Sequence, residues 1–120
     1  MAQIGIKRVY DPYSSSDGYR VLVDRLWPRG IRKDELHYDL WPKDITPSNE
    51  LRQWYHEDME NRWPEFKHRY MQELEQHPGA VTDFVDQVKD KEVVTLLYGA
   101  KDTVTNHAVV LRDYLEKHIR

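Results

Sequence analysis

The 120 residues suit one domain with a single hydrophobic core and are too few for two. Hydrophobic residues make up 39% and charged residues 32%, a polar composition but not that of a disordered chain. The formal net charge of -3 argues against broad electrostatic binding of nucleic acid, and the lack of cysteine excludes disulfides, thiolate catalysis and cysteine-based zinc sites.

In chain order, residues 3–10 alternate Ile4, Ile6 and Val9 with polar side chains and predict a strand. "DPYSSSDG" at 11–18 is turn chemistry. Residues 19–27, "YRVLVDRLW", are rich in β-branched and aromatic side chains, the pattern of a strand covered on both faces; Pro28 and Gly30 end it. "IRKDEL" reads as a short helix or a turn. A short strand is expected at 38–41, followed by a loop set by Pro42 and Pro47. Within that loop, "LWPKDITPS" sets Lys43 and Asp44 between two prolines, a stiff segment that lines a pocket or lies on the surface. Ser48 is the expected N-cap of a helix with Leu51, Trp54 and Tyr55 on one face.

Met59, Trp63, Phe66, Tyr70 and Leu74 step by three and four and mark the clearest helix. Proline breaks helix interiors, so this helix is expected to start near Asn61 or Arg62, with Pro64 in its first turn. Glu65, Arg69 and Glu73, spaced by four, read as a solvated face, and "HPGA" at 77–80 is expected to stop the helix on a glycine. Val81, Phe84, Val85 and Val88 predict a short third helix. Residues 92–100, "EVVTLLYGA", are the strongest buried-strand candidate and break at Gly99. The last helix is expected to be capped by Asp102 or Thr103. Val104, Ala108, Leu111 and Leu115 form its apolar stripe, and Lys117, His118 and Arg120 suit its C-terminal dipole. Buried strands with intervening helices define the expected fold class: α/β, with a small, mainly parallel sheet flanked by helices in one domain over 1–120. The N-terminal segment carries no leader-like apolar run and no window suits a membrane span, so a cytoplasmic protein is expected.

Open α/β sheets bind ligands beyond the carboxyl ends of their strands. Two predicted strands end in polar clusters, "VDRLWPRG" and "LLYGAKDTVTNH". If these strands are neighbours, Arg25, Arg29, Lys101 and the N–H groups opening the last helix converge on one pocket suited to phosphate or carboxylate. Asn106 and His107, in the first helical turn, reach back toward the strand ends, and Trp27 packs or stacks beside them, which completes a ligand-binding set of Arg25, Arg29, Lys101, Asn106 and Trp27. His107 is the candidate general acid or base, oriented by Asp24 or Asp102. The structural alternatives are an Arg25 ion pair with Asp24 or Asp102 that ties two loops, and a helix-capping or core-edge His107. His56, Asp58, His68 and His77 lack the spacing of a zinc helix, so no metal is expected, and the nucleophile-elbow, Walker and dinucleotide glycine patterns are absent. A second functional reading is non-enzymatic. Arg20, Arg25, Arg29, Arg32 and Lys33 surround Trp27 and offer a surface for a protein partner or a nucleic-acid backbone, diluted by Asp17, Asp24, Asp34 and Glu35.

"IKRVYDP", "DGYRVLVDRLWPRG", "LWPKDITPSNELRQWYHED", "PEFKHRY" and "VVTLLYGAKDTVTNHAVVLRDYL" together resemble domain-of-unknown-function family 488, in its short YeaO-like branch, over nearly the whole chain. The resemblance implies an α/β fold. It places the family's recurrent residues on Asp24, Arg25, Pro28, Arg29, Lys101, Asp102, Asn106 and His107. The family's other branch carries a cysteine–histidine pair near the position of Asn106 and His107; this chain has no cysteine, so a thiol role does not carry over. The resemblance supplies no substrate or cofactor and sets no oligomeric state. The function expected is an anion-binding hydrolase or transferase for a phosphorylated or nucleotide-like small molecule, with the binding module of residues 20–33 as the alternative.

Overall fold

The apolar run of residues 93–98 forms the middle strand of a three-stranded parallel sheet. The computed structural model describes residues 3–119. Strands β1 (Gln3–Arg8), β2 (Tyr19–Leu22) and β3 (Val93–Tyr98) lie in the order β1-β3-β2. The register sets Ile6 and Val21 on either side of Leu96, and Lys7 and Leu22 on either side of Leu97.

Alternation along the strands then sorts the core into two parts. Val21, Val94, Leu96 and Tyr98 enter the larger cluster, which also takes the apolar stripes of α1 (Asn49–His56), α2 (Met59–Gln76), α3 (Pro78–Val88) and α4 (His107–Ile119). Leu22 and Leu97 enter the smaller cluster with Val9 and Leu36, closed by Trp27, Ile31 and Trp41. Helix residues thus pack on one face, while the irregular segment 24–42 covers the other, its two tryptophans supplying the bulk of a helix.

The loop-covered face also holds a buried charge network. Arg20 is 1% exposed. Its guanidinium donates to the Asp17 carboxylate and its Nε to the His37 carbonyl at 2.7 Å. Lys7 Nζ reaches both Asp17 oxygens at 3.0 and 3.1 Å, and Thr95 Oγ1 donates to the Asp17 carbonyl at 2.7 Å. Gly18, which follows, has φ of +66° and lies so close to β3 that a Cβ would stand 2.5 Å from the Val93 carbonyl oxygen. Only glycine makes that turn without strain.

Several boundaries differ from the sequence expectations, each for a local reason. β2 ends at Leu22 rather than at 27. The Val23 N–H still reaches the Leu97 carbonyl at 3.0 Å, but β3 itself stops one residue later. The strand expected at 38–41 reduces to one bridge between Leu40 and Val21. Ser48 does cap α1, its Oγ accepting from the Leu51 N–H at 3.2 Å. α2 starts at Met59, ahead of Asn61, and carries Pro64 in its interior. Pro64 and Glu60 are both exposed, so water has access where the proline removes a donor.

"HPGA" is a junction rather than a stop. His77 caps α2, Pro78 opens α3, and Gly79 lies within α3. α4 begins only at His107, because Asp102 is engaged in a tight turn, its Oδ1 accepting from the Val104 and Thr105 N–H groups at 2.8 and 2.9 Å. Asn106 takes the cap, Oδ1 accepting from the Val109 N–H at 3.1 Å. Val104, expected in the apolar stripe, precedes the helix and is 71% exposed. Arg120 lies outside the described residues. Glu65 and Arg69 do form a surface pair at 2.9 Å, but Glu73 turns inward to accept from the Ser48 N–H and hydroxyl at 2.9 and 2.5 Å.

Candidate functional site

Because β2 and β3 are hydrogen-bonded neighbours, their carboxyl ends meet. Asp24 lies beyond one and Gly99 beyond the other. Asp24 Oδ2 accepts from the Gly99 N–H at 2.9 Å, and Oδ1 meets His107 Nε2 at 2.6 Å. Both side chains are 18% exposed, held between the protein and water. A Cβ on Gly99 would stand 2.8 Å from Asp24 Oδ2, so the carboxylate reaches the backbone only because residue 99 is glycine. A carboxylate only accepts, so the contact fixes the proton of the neutral imidazole on Nε2. The first turn of α4 is set by Asn106, whose Nδ2 also donates to the Asp102 carbonyl at 2.8 Å.

The end of α1 adds two basic groups that sequence reasoning did not assign here. The pKa of His56 lies below its ordinary 6.5. Partial removal from water is the first cause, followed by the charges of Arg52 and His107. The charges of Arg52 and His107 thus both bear on His56. Their only sequence signal was weak: Arg52 and His56 stand one turn apart near a helix C-terminus. Asp102 lies on the same side, where its charge, after burial, raises the Tyr55 pKa. Its own carboxyl is held below the ordinary 3.8 by the Thr105 hydroxyl and by the Thr105 and Val104 N–H groups.

Of the residues singled out in the sequence, the structure joins Asp24 to His107 and Asn106 to Asp102. The others disperse. Arg25 Nε donates to the Pro47 carbonyl at 2.9 Å, and among the described residues Arg25 forms no ion pair with Asp24 or Asp102. Arg29 and Lys101 are exposed. Trp27 is half-buried in the smaller core, its Nε1 donating to the Ile31 carbonyl at 2.6 Å and its ring edge-on to Trp41 at 5.5 Å. In the basic run at 20–33, Arg20 is buried and Arg32 is paired with Asp34 at 2.9 Å. Among the described residues, no group of three or more histidine and carboxylate side chains is placed to hold a metal ion, and no helix is long and apolar enough to cross a membrane.

An α/β domain with a histidine–carboxylate contact at its strand ends, and no thiol beside it, is the class that fold and site define. The chain belongs to the DUF488 family: a family model described as "Inactive DUF488-N3 subclade" matches residues 3–120. The chain is 52% identical over 112 residues to "Uncharacterized protein YeaO" of Escherichia coli (strain K12), covering 93% of this chain and 96% of that protein. It is 42% identical over 113 residues to "Uncharacterized protein Rv3073c" of Mycobacterium tuberculosis (strain ATCC 25618 / H37Rv), covering 94% and 93%. No solved structure matches the chain at a significant level.

Proposed function

We propose that this protein binds a small anionic metabolite, of the phosphorylated or nucleotide-like class, at the carboxyl ends of β2 and β3, and does so without turning it over. The observation that carries the reading is that the charges of Arg52 and of His107, the residue that opens α4, both act on His56 at the end of α1. A helix N-terminus adds unpaired N–H groups and a positive dipole end to that charge. In this reading Arg52 and His56 take the anion-binding part first assigned to Arg25 and Arg29, and Asp24 positions His107. The cysteine-free composition is in keeping with a reducing cytoplasm.

Three observations favour binding over turnover. The chain has no thiol. Both Asp24 oxygens are already engaged, and Asn106 serves as a helix cap. The matching family model is itself described as inactive. A second reading, in which Asp24 and His107 form a general acid–base pair of a hydrolase or transferase, rests on their 2.6 Å contact.

Calorimetry with inorganic phosphate and a panel of nucleoside mono- and diphosphates tests both readings. Binding weakened about tenfold or more by Arg52→Ala and His107→Asn, with the ligand recovered unchanged, is the expected result. Unchanged binding in both variants would defeat the assignment, and recovery of a converted ligand would favour the second reading.

A further inference from the structure

A second site, separate from the His107 contact, opens where Arg25 meets the stiff segment before α1. Asp24 reaches Gly99 and α4, whereas Arg25 reaches Pro47 and borders a cleft of about 350 Å³ between the 44–50 segment and the second half of α2. That volume suits a small molecule.

The walls of this cleft are chemically unequal. Arg25 is half-buried, and its Nε is fixed on the Pro47 carbonyl at 2.9 Å. Its other guanidinium N–H groups have no hydrogen-bond partner among the described residues, which leaves a rigid fork of donors. Asp44, Glu50 and Glu73 line the same cleft, with His77 at its side. Glu73 is fixed in place by Ser48 at 2.9 and 2.5 Å, while Asp44 and Glu50 have no ion pair among the described residues. The three carboxylates of the cleft outnumber the Arg25 guanidinium.

This pattern selects against both simple ion classes. A phosphate or plain carboxylate meets Arg25 but is repelled by the acidic surplus. A plain amine meets the acids but leaves Arg25 to repel it. A ligand with one carboxylate and two cationic groups matches every wall. We propose that the cleft binds a free α-amino acid with a basic side chain. Its carboxylate meets the Arg25 fork, and its two cationic groups meet Asp44, Glu50 and Glu73.

Ligand-observed NMR and calorimetry with L-lysine test this, with cadaverine (lysine without its carboxylate) and L-norleucine (lysine without its side-chain amine) as the comparators. Saturable L-lysine binding is expected, with both comparators at least about tenfold weaker. The exposed double variant Asp44→Asn, Glu50→Gln, its folding checked by circular dichroism, is expected to weaken lysine about tenfold or more. Arg25→Gln is expected to remove the preference for lysine over cadaverine. Cadaverine binding as tightly as lysine, no saturable binding of lysine at millimolar concentration, or unchanged lysine binding in the double variant would overturn the proposal.

Discussion

Asp24 and His107 meet at 2.6 Å across 83 residues of chain, and the second Asp24 oxygen is held by the Gly99 N–H at 2.9 Å. One carboxylate thereby staples the exit of β2, the exit of β3 and the start of α4. Each of those segments ends in irregular backbone, so the carboxylate supplies order where the sheet ladder has stopped.

Gly99→Ala tests the staple. The added Cβ would stand 2.8 Å from Asp24 Oδ2, so the carboxylate has to move away and lose both contacts. A destabilisation of about 1–3 kcal/mol in urea unfolding is expected. In an Asp24→Ala background the same alanine is expected to cost much less, because the group it would displace is absent. Additive losses in the double variant would show that Gly99 acts through something else.

Ser48→Ala probes the join between α1 and α2. Ser48 Oγ accepts from the Leu51 N–H and donates to Glu73. Losing both is expected to cost about 1–2 kcal/mol, read as a lower urea midpoint with unchanged slope. A neutral substitution would mean that the Ser48 backbone N–H alone holds Glu73 in place.

Asp17 sets an acid limit on stability. Burial pushes its carboxyl up, but the Lys7 ammonium, the Ser14 N–H and Arg20 outweigh burial and hold it below 3.8. The folded value lies under the unfolded one, so the stabilisation is fully present above the unfolded value and is lost as pH falls through the folded value. Asp17→Asn is expected to flatten this acid limb. At neutral pH it is expected to cost about 3–5 kcal/mol, because buried Arg20 loses its partner. Urea unfolding from neutral pH down through the carboxylate range checks both effects.

Much of this architecture was readable in the chain, and the misses share a cause. β3 and the Ser48 cap follow from an unbroken apolar run and from one serine ahead of a helical stripe. β2 read too long because nothing in "YRVLVDRLW" says where its neighbour stops. Pro64 read as a helix start because its exposure, which makes an interior proline tolerable, is a tertiary fact. Asp24 and His107 were each visible as polar residues at strand and helix ends, yet their contact needed β2 and β3 to be adjacent. Arg52 and His56 were not assigned to the site because the direction in which α1 ends is set by packing on α2, not by their own spacing. Arg25 adjoins Asp24 in sequence, yet its Nε is held by the Pro47 carbonyl, a partner that only the tertiary placement of the loop before α1 supplies.

Arg52→Ala separates charge from burial at His56. His56 is held below 6.5 partly by the Arg52 charge, so its removal is expected to raise the His56 pKa in the free protein. NMR titration of the imidazole resonances reads this directly. An unmoved His56 would mean that partial loss of water alone sets the shift, and that Arg52 lies too far away to share a ligand.

The most direct test of anion binding is the His56 titration with and without saturating sulfate, a dianion that does not itself titrate in this range. The folded pKa of His56 is lowered, and an anion bound beside it favours the charged ring, so binding takes up a proton and strengthens as pH falls through the His56 titration. Sulfate is predicted to raise the His56 pKa and to shift the His107 ring resonances at the same concentrations, with the response weakened by Arg52→Ala. Titration curves of His56 and His107 that saturating sulfate leaves unchanged would contradict the account.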